Sequence, residues 1–190
     1  MSKFLDVSDR QLVRQTVGGD VESFNSLVER YHGMVYNLAY RMLGNTNDAQ
    51  DATQETFLES FKSIGGFKFQ STFKTWLYRI AINTCQQHLR KSDSRKRTMY
   101  SYTEDTKNIQ RSAAGPTQPD QHLLKTEKEQ IVQLAIGSLP TKQKAVVTLF
   151  YMQHLKYREI AEVLGCSEGT VASRLNTAIS NLKNLLGRQL

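Results

Sequence analysis

Disulfides are the first thing this 190-residue chain does without: its two cysteines, Cys85 and Cys166, lie far apart and form no paired framework. Free thiols are expected, which suits a reducing compartment. No apolar run approaches the roughly 18 residues that a membrane span needs. The N-terminus, MSKFLDVSDR, lacks a signal peptide's apolar centre, so a cytoplasmic protein without membrane insertion is expected. No phosphate-binding glycine loop and no nucleophile motif occurs. Cys85 and His88 stand three apart, but two ligands do not make a zinc site, and His32, His122 and His154 have no partners at ligand spacing. An enzyme acting on nucleic acid is therefore set aside, and no catalytic residue, metal or cofactor is expected.

What the chain does have is positive charge. A formal charge of +7 and a pI near 9.4 point to an acidic partner, nucleic acid first and anionic membrane second, while 39% hydrophobic content is enough to fold. Charge alone also allows a basic protein with no such partner.

Helical periodicity dominates, and no strand-like alternation is sustained. From 24 to 42, Phe24, Leu27, Val28, Tyr31, Val35, Leu38 and Met42 recur at steps of three and four, with Asp20 to cap the start and Gly44 the end. The pattern predicts further helices near 8 to 17, from 48 to 64 (stopping at Gly65-Gly66) and from 72 to 91. The last should carry Phe73, Trp76, Leu77, Ile80 and Ala81 inward. Between 93 and 122 the periodicity dissolves into Ser, Thr, Gln and Gly with Pro116 and Pro119, as in a flexible linker. It resumes with Leu124, Ile131, Leu134 and Ala135, breaks at Leu139-Pro140, and continues through Val146, Val147 and Phe150. The expected fold is all-α, with two small helical domains, 1–92 and 123–190, joined by that linker.

In YREIAEVLGCSEGTVASRLNTAISNLKNLL, Ile160, Ala161 and Leu164 share one short helix, and Gly165 offers the positive φ of a sharp turn. Ser167 can cap a second helix lined by Val171, Leu175, Ala178 and Leu182. This is the anatomy of a helix-turn-helix, with a plain helical hairpin as the alternative. In a DNA reader the second helix turns Glu168, Thr170, Ser173, Arg174, Asn176 and Thr177 toward base edges. Arg174 and Asn176 are the residue types that bond guanine and adenine bidentately, and Lys156 and Arg158 suit phosphates.

The other half separates its charges. Residues 45 to 61 hold Asp48, Asp51, Glu55 and Glu59, beside Phe57, Leu58 and Phe61, and no Lys or Arg. Such a face repels DNA and suits a basic protein surface, unless it is simply solvated. In FKTWLYRIAIN, 73 to 83, the chain's only tryptophan, Trp76, stands with Phe73 and Tyr78 among Lys74 and Arg79. Rings to stack on and cations for phosphates are what unstacked bases require, although core packing would also use the rings. Arg90, Lys91, Arg95, Lys96 and Arg97 follow.

Taken in order, YRMLGNTNDAQDATQETFLESF (40 to 61), FKTWLYRIAINT (73 to 84), LP (139 to 140) and YREIAEVLGCSEGTVASRL (157 to 175) resemble the extracytoplasmic function (ECF, group IV) sigma factors of bacterial RNA polymerase. The resemblance spans both domains and implies sigma region 2 over 1–92 and sigma region 4 over 123–190. It implies a chain that binds core RNA polymerase, melts the minus-ten element and reads the minus-thirty-five element of promoter DNA, and that an anti-sigma protein regulates. The family's clamp-binding segment falls on Asp48, Asp51, Gln54, Glu55 and Leu58. Phe67, Lys68, Ser71 and Thr72 would help hold a flipped nontemplate base, with Asn83 hydrogen bonding, Trp76 near the point of strand separation and Arg79 on the same helix. Lys156, Arg158, Thr170, Ser173, Arg174, Asn176 and Thr177 would meet the upstream element. Many members carry Lys or Arg where Ala172 stands, and an aromatic then Arg at Asn176 and Thr177, so the upstream preference cannot be copied from relatives. A free-standing repressor would explain the helix-turn-helix but neither the acidic helix nor the aromatic-basic one.

Overall fold

A computed structural model describes residues 7–102 and 127–186. Ser8 caps α1 (Asp9–Val17) by accepting from the Gln11 N–H. The Asp20 carboxylate does the same for α2 (Val21–Leu43), and Gly44, at φ 85°, ends that helix in the left-handed conformation. Asn45 caps α3 (Thr46–Ser63), which closes in a 3₁₀ turn at Ile64–Gly66. Then comes α4 (Phe73–Tyr102), started by the Thr72 hydroxyl, which accepts from the Thr75 N–H at 3.0 Å. This helix outruns the apolar pattern because periodicity reports burial, not helicity, and no Gly or Pro interrupts residues 73–114.

The second half contains α5 (Glu127–Gly137), α6 (Thr141–Val147) with a π-helical turn at Thr148–Met152, α7 (Tyr157–Leu164) and α8 (Glu168–Leu186). Gly165 has φ 61°, and the Ser167 hydroxyl accepts from the Thr170 N–H, so the turn forms as its residues dictate. Val171, Leu175 and Ala178 lie against Ile160, Ala161 and Val163 in the buried core. Leu12, Leu27, Leu38, Met42, Leu77 and Ile82 make the core of the first half, each such aliphatic side chain contributing about 1.5–3 kcal/mol by leaving water. No strand occurs among the described residues.

Helix α5 forms where the apolar pattern resumes, but two features where the halves meet are not given by that spacing. Ile131 and Leu134 are 40% and 71% exposed, whereas Gln133 is buried; Leu124 lies outside the described residues. The reason is at the end of α2, whose last carbonyls have no partner within the helix. Gln133 Nε2 donates to the Tyr40 and Arg41 carbonyls, its Oε1 accepts from Arg41, and Lys144 Nζ reaches the Met42 carbonyl at 3.4 Å. Desolvation lowers the Lys144 pKa.

Tyr78 is the second. It is 1% exposed and donates its hydroxyl to Gln153 Oε1 at 2.8 Å, so it is no stacking platform but a packed ring tying α4 to the second half. Burial raises its phenol pKa. Phe73 is buried as well. Tyr78→Phe keeps the packing and removes the hydrogen bond, so urea denaturation should show a loss of about 1 kcal/mol. No loss would mean that the bond adds nothing across the junction.

Candidate nucleic-acid and partner interfaces

Helix α3 turns Thr53, Thr56 and Phe57 inward and leaves Asp48, Asp51, Gln54 and Leu58 outward, with Leu58 60% exposed. Gln54, Phe57, Leu58 and Phe61 face Val21, Phe24, Val28 and His32 of α2 across a shallow apolar groove. The carboxylates on this helix differ in their partners. Asp48 accepts from Asn45 Nδ2 at 2.7 Å, Glu59 pairs with Lys62, and Glu55 meets His88 Nε2 of α4 at 2.7 Å. Among the described residues Asp51 pairs with nothing. A protein carrying cations around an apolar knob would match this acidic and apolar face.

The loop after α3 brings Phe67, Lys68, Ser71 and Thr72 to the start of α4. Lys68 and Thr72 are exposed and Ser71 is half-buried, but Phe67 is buried, packed 5.1 Å from Trp76 and 6.3 Å from Phe73 between ring centroids. Trp76 is half-buried and so combines packing with an open edge. Thr72 spends its hydroxyl on the α4 cap, where it also meets the Thr75 hydroxyl at 2.8 Å. Sequence reasoning passed over Phe69, half-buried in the same loop, and the arginines Arg10 and Arg14 that lie over its ring. Nothing local signalled them, because α1 meets this loop only through tertiary packing.

Arg79 and Asn83 are exposed on α4, yet they do not face open solvent alone. With Gln86 they line a cleft whose other wall is Lys142, Val163, Cys166 and Arg174. Arg174 is half-buried there and donates to Cys166 Sγ at 3.8 Å. Elsewhere on α8 Ser173, Asn176 and Thr177 are exposed, while Thr170 is half-buried against the Ser167 hydroxyl. Lys156 begins α7, its N–H donating to Glu159, and Arg158 pairs with Glu162 at 3.6 Å in water. Such an exposed pair adds little stability and is easily exchanged for a phosphate.

Neither cysteine is paired. Burial pushes the Cys85 thiol up to about 12. Among the described residues no group of three or more His, Cys, Asp or Glu could hold a metal, and no helix is long and apolar enough to cross a membrane.

Against this geometry, residues 27–95 match the sigma-70 region 2 family and residues 129–182 match sigma-70 region 4. The chain is 36% identical over 180 residues to the ECF RNA polymerase sigma-E factor of Haemophilus influenzae, covering 94% of this chain and 95% of that protein. It is 35% identical to the RNA polymerase sigma-H factor of Pseudomonas aeruginosa, with 88% of each covered. In fold it is similar to the sigma factor RpoE of Bartonella quintana, solved in complex with the anti-sigma factor NepR, at TM-score 0.63 and 23% identity over 87% of this chain and 98% of that one.

Proposed function

Because the chain belongs to the ECF family of RNA polymerase sigma factors, and so directs promoter-specific initiation of transcription, we propose that its two halves divide that task. Residues 1–92 act as region 2, docking core polymerase and opening the minus-ten element. Residues 123–190 act as region 4, reading the minus-thirty-five element, and 93–122 tether the two. The chain itself is a binding subunit and contributes no catalytic group.

One observation carries this reading: an exposed acidic and apolar face on α3 occurs in the same chain as a helix-turn-helix with an exposed polar reading face. A free-standing regulator needs only the second. Core polymerase would dock on Asp48, Asp51, Gln54, Glu55 and Leu58, where Asp51 has no competing partner. The minus-ten strand would meet Lys68, Ser71, Thr72, Trp76, Arg79 and Asn83, with Phe67 as the floor of the site. Lys156 and Arg158 would hold upstream phosphates while Thr170, Ser173, Arg174, Asn176 and Thr177 face bases. An anti-sigma protein would regulate the chain by covering the α3 face in place of core polymerase.

The cleft shared by Asn83 and Arg174 has a further consequence. The two promoter elements lie about 25 base pairs apart, roughly 80 Å along a duplex, so residues that share one cleft cannot engage both. The halves must separate on the promoter.

In reconstituted transcription, core polymerase with this chain should initiate from promoters selected out of a random library. Asp51→Lys with Glu55→Lys should weaken co-purification with core by about a hundredfold or more while leaving the fold intact, since each of the two close charge pairs is worth about 1.5 kcal/mol or more. Undiminished binding would remove α3 from the docking surface. Arg174→Ala should relax selection at one upstream base position at a cost of about 1–3 kcal/mol; unchanged selection would show that Arg174 reads no base. A donor and acceptor dye at Glu29 and Asn184 should transfer energy in the free chain and lose that transfer in the promoter complex. Equal transfer in both would mean that the halves stay together.

A further inference from the structure

We propose that α1 forms one wall of the nontemplate-strand site, with Arg10 and Arg14 gripping the sugar-phosphate backbone beside a base that stacks on Phe69. This rests on the reading that the 67–72 loop engages melted DNA and extends it to residues far upstream in the chain.

The starting observation is a strained aromatic. Phe69 has φ 56°, in the left-handed region that bulky side chains avoid, so its surroundings must hold it there. Phe67 packs on it, with ring centroids 4.9 Å apart and planes 54° to each other. From α1, the Arg10 and Arg14 guanidinium carbons lie 5.2 and 5.8 Å from the Phe69 ring centroid. These two cations are one helical turn apart on the same face, where like charges repel. Nothing relieves them: among the described residues neither pairs with a carboxylate. Asp9, the acid nearest to them in sequence, is already engaged by Arg30 and by the Tyr31 hydroxyl.

The space around this group is concave. Asp9, Arg10, Phe67, Phe69, Ser71 and Thr72 are among the residues lining a cleft of about 350 Å³, with Phe73 at its back. A half-buried ring, with the exposed Arg10 lining the cleft and the exposed Arg14 beside the same ring, forms a stacking platform with phosphate anchors, the chemistry that holds single-stranded nucleic acid. Core packing alone calls for neither a strained aromatic nor two converging positive charges. Both guanidinium carbons lie within cation–π distance of the ring, and neither group spends its N–H donors on a carboxylate among the described residues, so those donors are available to a phosphate oxygen. Phe69 thereby orients the clamp as well as receiving the base.

The test uses holoenzyme assembled from core polymerase and the full chain, binding a fluorescent single-stranded minus-ten oligonucleotide over a salt series. Arg10→Ala with Arg14→Ala should weaken binding by roughly tenfold or more. It should also flatten the slope of log affinity against log salt by about 0.7 for each lost phosphate contact. Arg10→Lys with Arg14→Lys should retain the slope, because it retains the charge. Phe69→Ala should weaken binding with the slope unchanged, because stacking releases no counterions. If the alanine pair misfolds, Arg10→Gln with Arg14→Gln keeps the packed stems and carries the same expectation. Phe67→Ala serves as the reference: normal binding by that variant would overturn the reading of the loop, and this inference with it. If Phe67→Ala loses binding while the neutral arginine pairs keep both affinity and slope, the loop reading stands. The inference then fails, and the arginines only pack on Phe69.

Discussion

A helix cannot pair its last carbonyl oxygens with itself, and the arrangement of this molecule depends on how that constraint is met at the end of α2. Gly44 returns its own N–H to the Tyr40 carbonyl, and Gln133 and Lys144 of the second half also donate to this end. Burying two polar side chains is unfavourable unless their hydrogen bonds are made, so these contacts specify one docking of α5 and α6 against the bundle. Once that docking is set, Tyr78 meets Gln153, and Arg79 and Asn83 come to share a cleft with Arg174. The free chain thus holds the two faces proposed to read DNA together through a small polar junction. A junction of a few hydrogen bonds, each with a net worth of about 1 kcal/mol, is strong enough to hold and weak enough to be exchanged for polymerase and promoter contacts.

The acidic and basic surfaces are kept apart by the helices that carry them. On α3 the inward positions are small or aromatic, Ala49, Ala52, Thr53, Thr56 and Phe57, which leaves the carboxylates nowhere but the outer face. Glu55 is steered by His88 from α4, and Asp48 by the Asn45 cap, so the partner face is ordered from within the fold. In the proposed division of labour one small bundle both binds a protein and melts DNA, and surfaces of opposite charge on separate helices would keep each task from interfering with the other.

The loop proposed to melt DNA shares its side chains between packing and recognition. Phe67 and Phe73 build a wall, Trp76 spans wall and surface, and Thr72 starts the helix that carries them. In that proposal a base would meet rings already fixed by one another, which removes the cost of ordering them on binding. The left-handed backbone at Phe69 belongs to the same economy, since strain held by the fold presents a ring that a relaxed loop would turn away.

Much of this was legible from local spacing. Asp20, Gly44, Gly165 and Ser167 act as caps and turns because their chemistry concerns backbone groups within a few residues, and the stripes of α2, α7 and α8 follow from the 3.6-residue period. The ordered set of motifs also identified the family. Tertiary structure alone decided which aromatic of the FKTWLYRIAIN helix is core and which is surface, why Leu134 is exposed while Gln133 is buried, that Arg174 faces α4, and that α1 arginines lie over Phe69. A periodic pattern states which residues share one face of one helix. Which face meets which partner is settled by packing between segments distant in sequence and by the polar groups that each helix end must satisfy, and neither is written in the spacing of a single helix.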